Sequence, residues 1–349
     1  MLEIAMPDVF NSSLQSQQWI GVAHASDIAT ARRAGQQIAQ RQGFDGTRAG
    51  QLAILITEAA TNLLKHAGDG RILVSAVSEG ESRGVELLVL DKGPGIANLA
   101  HALRDGVSSA GTAGNGLGAM QRLADSFDVY APRGGGAALT MRLWAEGAQA
   151  TGPAARIGAA CLPLAGEDFS GDGWAVASDE RHTTLLLVDG LGHGPEAARV
   201  ARAAIECLER DPALAPAAQI EAMHKALAPT RGAALAVAQY RAGDSQLQFA
   251  GVGNIGACLI DGESRRQLMS HNGIVGHNMR KVQQLAYPGA PGALLVMHSD
   301  GVNTQWDLGQ HPGLAAGAPS LVAGVLLRDH ARLRDDACVL AHRLAAGTR

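Results

Sequence analysis

The sequence has few aromatic residues, no closely spaced cysteines and no long apolar run, and each shortage excludes a class of protein. Aromatic residues make up 3% of the 349 positions, so any core must be built from aliphatic and alanine side chains. The apolar runs have the length of core strands, so we expect no segment that spans a bilayer. A CxxC pair is missing, which argues against a zinc finger or a disulfide framework and predicts buried thiols in a reducing cytoplasm. The cysteines concerned are Cys161, Cys207, Cys258 and Cys338.

Charge is scarce as well. Charged residues account for 18% of the chain, the formal net charge is −4, and no basic run exceeds a pair such as Arg32-Arg33. A nucleic-acid-binding protein usually carries a basic stripe, so we expect no nucleic-acid partner. Residues 1–10 include Glu3 and Asp8 and lack an apolar stretch, which predicts no signal peptide and no membrane partner.

The composition divides the chain near residue 150. Residues 146–153 are small, polar and turn-prone, as is typical of a linker, so we predict one domain over 1–145 and a second, autonomous domain over 154–349. The first shows two helical patterns followed by a mostly antiparallel sheet, which predicts a two-layer α/β sandwich. The second has many strand patterns and two helical ones, which predicts a layered sandwich with its sheets inside.

The second helical pattern, residues 47–66, carries polar side chains at helical spacing. Glu58 and Asn62 are four residues apart and therefore share a face. A carboxylate can polarise a hydroxyl or a water, and an amide oxygen can bind Mg²⁺. Lys65 and His66 follow on the same helix. Taken alone, this group is more typical of an ordinary solvated face.

Two glycine-rich segments extend the candidate site. Asp91-Lys92-Gly93-Pro94-Gly95-Ile96 follows a predicted strand, where a carboxylate can accept a hydrogen bond from adenine and glycines let the backbone approach a ligand. Gly111-Thr112-Ala113-Gly114-Asn115-Gly116-Leu117-Gly118 runs into a helix, whose N–H groups can hold phosphates. A Gly-Pro turn and a flexible connector are the respective alternatives, but the order of the three segments predicts one ATP site.

Residues 20–144 resemble the GHKL ATPase superfamily and, within it, the RsbT and RsbW switch kinases of bacterial stress signalling. The resemblance rests on Glu58 and Asn62, on Asp91-x-Gly93-x-Gly95 and on Gly114-x-Gly116-x-Gly118. It implies a Bergerat-type α/β sandwich that binds ATP with Mg²⁺ at Asn62, with Glu58 as the base and Asp91 reading adenine. Further nucleotide contacts are implied for Lys65, His66, Gly93, Gly95, Gly114, Gly116 and Gly118.

One position departs from the superfamily pattern. The closing strand often carries Gly-Thr, whose hydroxyl helps to hold adenine, whereas Gly136 is followed here by Ala137-Ala138. Thr140 lies three positions beyond Ala137 and is therefore predicted to face the other side of the strand.

Aspartates recur at predicted turns of the second domain, at Asp172, Asp189, Asp300 and the pair Asp335-Asp336. Carboxylates are the ligands that Mg²⁺ and Mn²⁺ prefer, and several at one point would repel one another without cations. Two metals bridged by carboxylates can activate water and stabilise a displacement at phosphorus. An ordinary turn explains any one of these residues, but the set together predicts a two-metal site.

The segments around these aspartates occur in the order of the metal-dependent PPM-type phosphatases and resemble the SpoIIE branch, especially the small stress phosphatase RsbX. The resemblance implies an α-β-β-α sandwich with two Mn²⁺ or Mg²⁺ ions. Their ligands would be Asp172, a bridging Asp189, the Gly190 carbonyl, Asp300 and Asp335, with Asp336 as the alternative to Asp335. The segments are residues 167–172, 188–194, 230–234, 251–254, 273–276, 299–301 and 334–337.

Three further residues are candidates without a settled role. His193 is a candidate proton donor to the leaving hydroxyl, or else it shapes a glycine-rich turn. Arg156 and Arg231 are candidates for a phosphate-clamping arginine.

The two resemblances together predict a bifunctional regulator of partner-switching, or stressosome, signalling in the bacterial cytoplasm. It would phosphorylate serine or threonine in STAS-domain antagonist or scaffold proteins with ATP and remove the phosphate with metal ions. The alternative is an ATP-binding partner-switch module without kinase activity, fused to an active phosphatase. Ala137-Ala138 favours this alternative, whereas Glu58 and Asn62 favour a kinase.

Overall fold

The structure, a computed structural model, describes residues 9–15, 17–104, 116–147, 153–179 and 181–346. The chain forms two compact units that interleave along the sequence. We call Gln15–Ala155 with Ala316–Arg328 the one-sheet unit, and Met1–Leu14, Arg156–Ala315 and Asp329–Arg349 together the two-sheet unit.

The predicted boundary differs from this division in two segments. Strand β1 (Val9–Ser12) pairs with residues 175–178 and so belongs to the two-sheet unit, although it precedes the predicted linker. Residues 316–328 belong to the one-sheet unit, although they follow it. The contacts of each segment, rather than its place in the sequence, decide the unit that it joins.

A five-stranded antiparallel sheet in the order β2-β3-β4-β6-β5 forms the centre of the one-sheet unit. Alternate strand residues such as Leu87 and Val89 pack against apolar faces of the helices α1 and α2 in one core. The strands are β2 (Gln17–Val22), β3 (Gly70–Glu79), β4 (Ser82–Asp91), β5 (Ser126–Tyr130) and β6 (Ala137–Trp144), and the helices of its N-terminal segment are α1 (Ala25–Arg41), α2 (Gly46–Asn62), α3 (Leu99–Ala102) and α4 (Gly116–Leu123).

One helix end differs from the sequence pattern. The helix predicted over 47–66 is α-helical only to Asn62 and continues as a π-helical turn, Leu63–Ala67, which Gly68 ends with a φ of +85°. The first helix has His24 as its N-cap, because the Asp27 carboxylate accepts hydrogen bonds from the Ala23 and His24 N–H groups.

Two stacked sheets form the two-sheet unit, in the orders β1-β8-β9-β10-β11-β14 and β13-β12-β15-β16-β7. One core fills the space between the sheets, and a second lies between the first sheet and the helices α5 (Gly194–Arg210) and α6 (Pro216–Leu227). The strands are β7 (Ile157–Leu162), β8 (Asp172–Ser178), β9 (His182–Gly190), β10 (Ala233–Arg241), β11 (Gln246–Val252), β12 (Gly256–Asp261), β13 (Ser264–Gln267), β14 (Leu285–Pro288), β15 (Leu294–His298) and β16 (Ala337–Arg343).

The helix α7 (Pro319–His330) had no counterpart among the predicted elements. Its residues from Pro319 to Leu327 are all buried, so it carries no polar face that would produce a helical pattern. A helix that is apolar on every side must be covered by protein on every side.

Two expectations are confirmed. Both units have the predicted mixed α/β class. The four cysteines are buried thiols. Among the helices that the structure describes, none has both the length and the apolar character that crossing a membrane requires.

Candidate functional site

The polar residues of α2 lie against the first residue of α4. A Cβ added to Gly116 would lie 3.4 Å from Asn62 Oδ1 and 3.6 Å from Glu58 Oε2. Both side chains are half-buried, so their oxygens border a cradle that a side chain at position 116 would fill. The structure therefore brings together the predicted Mg²⁺ ligand, the predicted base and one of the predicted glycines.

Asp91 ends β4 with its carboxylate fixed by the backbone. The Gly93 N–H donates to Asp91 Oδ1 at 2.8 Å, and the Ala137 N–H donates to the same oxygen at 3.1 Å. Because both bonds use Oδ1, the second oxygen, Oδ2, is the one that can accept from a ligand. This geometry suits a carboxylate that reads an exocyclic amine.

The glycines of this loop allow close packing. A Cβ on Gly93 would lie 2.8 Å from the Ala67 Cβ, and one on Gly95 would lie 2.0 Å from the Pro132 carbonyl oxygen. Gly95 also has a φ of +71°, which favours glycine. These glycines therefore shape the loop, and their contact with a nucleotide stays a prediction.

The remaining residues predicted for nucleotide binding divide into three groups. Lys65 and His66 are exposed on the π-helical turn, and Gly118 is buried in α4. Gly114 lies outside the described residues, with most of its glycine run. Thr140 donates to Glu86 Oε1 at 3.3 Å, whereas its strand neighbour Leu139 packs in the helix-facing core. Thr140 therefore faces away from the candidate ATP site, as predicted.

In the two-sheet unit, the aspartates lie at adjacent strand ends. Asp172 and Asp189 are direct partners across β8 and β9. Asp300 follows β15 and Asp335 precedes β16, and these two strands are paired. Like charges directly opposite each other destabilise an antiparallel pair, so this arrangement calls for a compensating positive charge.

Electrostatics of the aspartates point the same way. Burial, and then the charges of Asp300, Asp335 and Asp336, raise the pKa of Asp189 to about 7. Burial first and Asp189 second raise the pKa of Asp172 well above its usual range. Asp172 Oδ2 is buried without a hydrogen-bond partner. Hard oxygen donors with an unsatisfied buried atom fit divalent cations such as Mg²⁺ or Mn²⁺.

The carboxylates are near one another without being fully converged. Within the described part of the chain, no group of three or more histidine, cysteine, aspartate or glutamate side chains already has the geometry to hold a metal ion. The assignment of Asp172, Asp189, Asp300 and Asp335 as ligands therefore stays a prediction.

The contacts of Asp335 and Asp336 differ. Asp336 is buried, and its two oxygens accept the Leu164 and Gly171 N–H groups, each at 2.7 Å. Asp335 is exposed, and its Oδ1 accepts the Asp336 N–H at 2.9 Å. Asp336 therefore holds two loops together, which leaves Asp335 as the better candidate ligand.

The glycines after two of the aspartates permit close approach of backbone to backbone. A Cβ on Gly190 would lie 2.6 Å from the Ala197 carbonyl oxygen, and one on Gly301 would lie 1.8 Å from that of Asp336. Any side chain at either position would displace the strand end that carries Asp189 or Asp300.

His193 is the N-cap of α5, and its side chain is 57% exposed. Its Nδ1 lies 2.7 Å from Glu167 Oε1, at hydrogen-bond distance. Glu167 is not among the predicted site residues, although it lies in residues 167–172, one of the segments that resemble the PPM-type phosphatases. Such a carboxylate orients an imidazole, so Glu167 is a supporting residue that only the fold reveals.

Asn254 is a second supporting residue that sequence reasoning left without a role. Its Nδ2 donates to Asp300 Oδ2 at 2.6 Å. The sequence signal for it is again the order of the segments, since Asn254 lies in residues 251–254, one of the segments that resemble the PPM-type phosphatases.

The two candidate arginines lie in different places. A Cβ on Gly192 would lie 3.0 Å from Arg231 Nη1, so this guanidinium is beside the loop that carries His193. Arg156 precedes Ile157, which pairs with His342, whereas the aspartate end of the same strand pair is at Leu162 and Ala337. Five residue-to-residue steps along the strand, from Ile157 to Leu162, separate the two ends by about 17 Å. Arg156 as a phosphate clamp is therefore wrong.

Comparison with known families divides the chain in two. Residues 22–143 match the family described as the histidine kinase-like ATPase domain. Residues 179–345 match stage II sporulation protein E, SpoIIE. The first match contains Glu58, Asn62 and Asp91, and the second contains Asp189 and Asp300.

Individual proteins are similar to each half. The serine/threonine-protein kinase RsbT of Bacillus subtilis (strain 168) is 29% identical over 131 residues, which are 38% of this chain and 98% of RsbT. A chain from a structural study of the bacterial stressosome, a modular system adapted to control secondary messenger signalling, is 27% identical, with a TM-score of 0.51. The match covers 54% of this chain and 98% of that one. A structure of RsbX in complex with magnesium is 20% identical over 54% of this chain and 94% of RsbX, with a TM-score of 0.49.

Proposed function

We propose that this chain both adds and removes a phosphoryl group on a regulatory protein. It would be a fusion of an ATPase domain similar to RsbT with a phosphatase domain of the SpoIIE type. The observation that supports the proposal is that each half brings its own polar groups together: Glu58 and Asn62 beside Gly116 in the one-sheet unit, and the aspartates around Asp189 in the two-sheet unit. Glu58, Asn62 and Asp91 serve addition, and the aspartates around Asp189 serve removal.

In the one-sheet unit, three side chains have distinct tasks in phosphorylation. Asp91 Oδ2 accepts a hydrogen bond from the adenine amine, since Oδ1 is already engaged. The Asn62 amide oxygen is the ligand for the Mg²⁺ that accompanies ATP. Glu58 takes the proton from the serine or threonine hydroxyl of the substrate, as a general base beside the α4 N-terminus.

In the two-sheet unit, the aspartates would hold the metal ions. Asp172, Asp189, Asp300 and Asp335, with the Gly190 carbonyl, are the proposed ligands. Bound divalent ions supply an activated water and stabilise charge on the phosphoryl group. His193, oriented by Glu167, donates a proton to the departing serine or threonine oxygen. Arg231 lies beside this loop and is the remaining candidate for holding the phosphoryl oxygens.

The proposed substrate is a STAS-domain antagonist or scaffold protein of bacterial stress signalling. Support comes from RsbT, whose name describes a serine/threonine-protein kinase, and from the similarity to a stressosome chain. One polypeptide would then set the phosphorylation level of its partner in the cytoplasm.

The deciding experiment follows phosphate on the substrate. The full-length chain is incubated with γ-labelled ATP and candidate STAS-domain proteins, with and without Mn²⁺. We expect a serine or threonine label to appear, and to be lost faster when Mn²⁺ is added. If no candidate gains label even with the phosphatase-dead variant Asp189→Asn, the kinase half of the proposal is wrong.

A second candidate function is favoured by one observation. Ala137 offers no hydroxyl beside Asp91, and Thr140 is engaged with Glu86 on the opposite face. The one-sheet unit would then bind ATP as a partner-switching module and leave catalysis to the phosphatase. Binding of ATP by Asp189→Asn without any transfer to a partner that it binds would establish this alternative.

A further inference from the structure

The C-terminal part of the sequence contributes a helix to the unit that holds the candidate ATP site. Helix α7, up to Arg328, is grouped with the one-sheet unit. The Ala318 N–H, just before the helix, donates to Asp128 Oδ2 at 2.7 Å. Ser320, in the first turn of α7, accepts a hydrogen bond at its Oγ from Arg142 Nη2 at 3.4 Å. The start of α7 is therefore fixed to strands β5 and β6.

The middle of α7 packs on β4 from the side opposite to α2. Leu88 and Leu90 alternate with the core residues of the helix-facing side, and they are 2% and 5% exposed. A Cβ on Gly324 would lie 2.9 Å from Leu90 Cδ2 and 3.0 Å from Leu88 Cδ1. The helix axis thus approaches β4 as closely as a glycine permits. This contact fixes the distance between the helix and the strand.

The last residues of α7 reach the strand ends that form the candidate adenine site. Arg328 Nη1 donates to the Asp91 carbonyl oxygen at 2.9 Å and to the Ala137 carbonyl oxygen at 3.3 Å. Asp91 and Ala137 are direct partners across β4 and β6. A Cβ on Gly136 would lie 2.7 Å from Arg328 Nη1, so the guanidinium uses space that a glycine leaves open.

We infer that Arg328 is a positioning residue for adenine recognition. It comes from the part of the chain that follows strand β15, after the proposed metal ligand Asp300. Its guanidinium holds the carbonyls of Asp91 and Ala137, while the Ala137 N–H holds the Asp91 carboxylate. The two sets of bonds together fix the direction of Asp91 Oδ2. This inference rests on the proposed ATP-binding function of the one-sheet unit.

The chemistry of the residue supports this role. A guanidinium is always charged and has several N–H donors in a fixed plane, so it can serve two carbonyls at once. Hydrogen bonds weaken steeply as their geometry degrades, so a small rotation of Asp91 would weaken the bond to the adenine amine. Packing of α7 alone would instead influence the binding of every nucleotide equally.

The test compares two nucleotides on the full-length chain. ATP and purine riboside 5′-triphosphate, which lacks the 6-amino group, are titrated with Mg²⁺ into the wild type, Arg328→Ala and Arg328→Lys. The matched control is Arg32→Ala, which removes the same charge from an exposed position of α1. Thermal melting and hydrolysis of p-nitrophenyl phosphate report whether each variant is folded.

We expect Arg328→Ala to bind ATP about tenfold more weakly, which corresponds to losing one charged hydrogen bond. The dissociation constant of the purine analogue should change less than twofold, and Arg328→Lys should recover part of the ATP affinity. The control should match the wild type.

Three outcomes would overturn the inference. Unchanged ATP affinity in Arg328→Ala excludes a positioning role. An equal loss of affinity for both nucleotides would mean that Arg328 acts only through the packing of α7. A wild type that binds neither nucleotide overturns the proposed kinase and the inference together. The first two outcomes leave ATP binding by the wild type, and with it the proposed function, intact.

Discussion

Asn254 orients the carboxylate of Asp300, since its amide donates to Asp300 Oδ2 at 2.6 Å. Residues that orient a metal ligand typically change metal affinity by about 10–100-fold when removed. We therefore expect Asn254→Ala to raise the Mn²⁺ concentration needed for half-maximal phosphatase activity by at least about tenfold. Saturating Mn²⁺ should restore most of the rate. Asn98→Ala, which removes the cap of α3 in the other unit, is the control. An unchanged Mn²⁺ requirement would show that Asp300 needs no such partner.

Glu58, the proposed general base, is the residue that would distinguish a kinase from a nucleotide-binding module. Glu58→Gln keeps the size of the side chain and its place beside Gly116 but removes the base. General-base catalysis contributes about 10²–10⁴-fold, so phosphate transfer should fall by at least about 100-fold. ATP affinity should stay within about threefold. Calorimetric titration and label transfer, both in the Asp189→Asn background, measure the two effects, and an unchanged transfer rate would remove Glu58 from the mechanism.

The packing of α7 depends on a single small residue, Gly324. Gly324→Val would place two methyl groups where a Cβ alone already lies about 3 Å from Leu88 and Leu90. Overpacking of this kind costs about 1–3 kcal/mol. We expect Gly324→Val to lower the melting temperature measured in the presence of ATP and to weaken ATP binding. Gly50→Val is the matched control, because Gly50 lies in α2 with open space around its Cβ position. Equal effects of the two substitutions would mean that helix propensity alone is responsible.

Strand β1, near the other end of the sequence, is also held by a segment that is distant in the sequence. Its four residues pair with β8, the strand that begins at Asp172. The strand therefore covers an edge of the sheet that carries a proposed metal ligand. A four-residue segment is too short for a recognisable alternation, which explains why no strand was predicted there.

At the scale of the whole molecule, the two units share one chain that passes between them after residues 14, 155, 315 and 328. A cut at residue 150 would leave the one-sheet unit without residues 316–328 and the two-sheet unit without β1. The expectation of an autonomous domain over 154–349 therefore does not agree with the interleaved units. Functional experiments accordingly use the full chain.

The two activities should oppose each other in the full chain. Asp189→Asn removes the proposed bridging ligand and should raise steady-state phosphorylation of a STAS-domain partner, whereas Glu58→Gln should lower it. Each effect should be about 100-fold or more in the underlying rate, because charge stabilisation dominates phosphoryl transfer. Quantitative phosphoprotein gels at fixed ATP and Mn²⁺ measure both. A shift in the same direction for the two variants would contradict separate kinase and phosphatase sites.

Removing metal provides an independent check on the same site. The carboxylates around Asp189 repel one another, and burial raises the pKa of Asp172 and of Asp189. We expect EDTA to abolish hydrolysis of p-nitrophenyl phosphate and excess Mn²⁺ to restore it. Undiminished hydrolysis in EDTA would exclude the metal mechanism.

The sequence by itself determined the mixed α/β class and the resemblance to two families. Motif residues such as Asp91, Gly95 and Asp189 lie at strand ends and tight loops, where local geometry restricts residue type and so leaves a pattern. Only the tertiary structure decided the partners of these residues, including Glu167 for His193 and Asn254 for Asp300. A single hydrogen bond between distant segments leaves no periodic signal.

The tertiary structure also decided which unit each segment joins. The apolar residues of α7 carry no polar face, and the four residues of β1 are compatible with any open sheet edge. Burial and backbone hydrogen bonding therefore select their partners, and neither depends on distance along the chain. For the same reason Arg328 lies beside Asp91, although 237 positions separate them in the sequence.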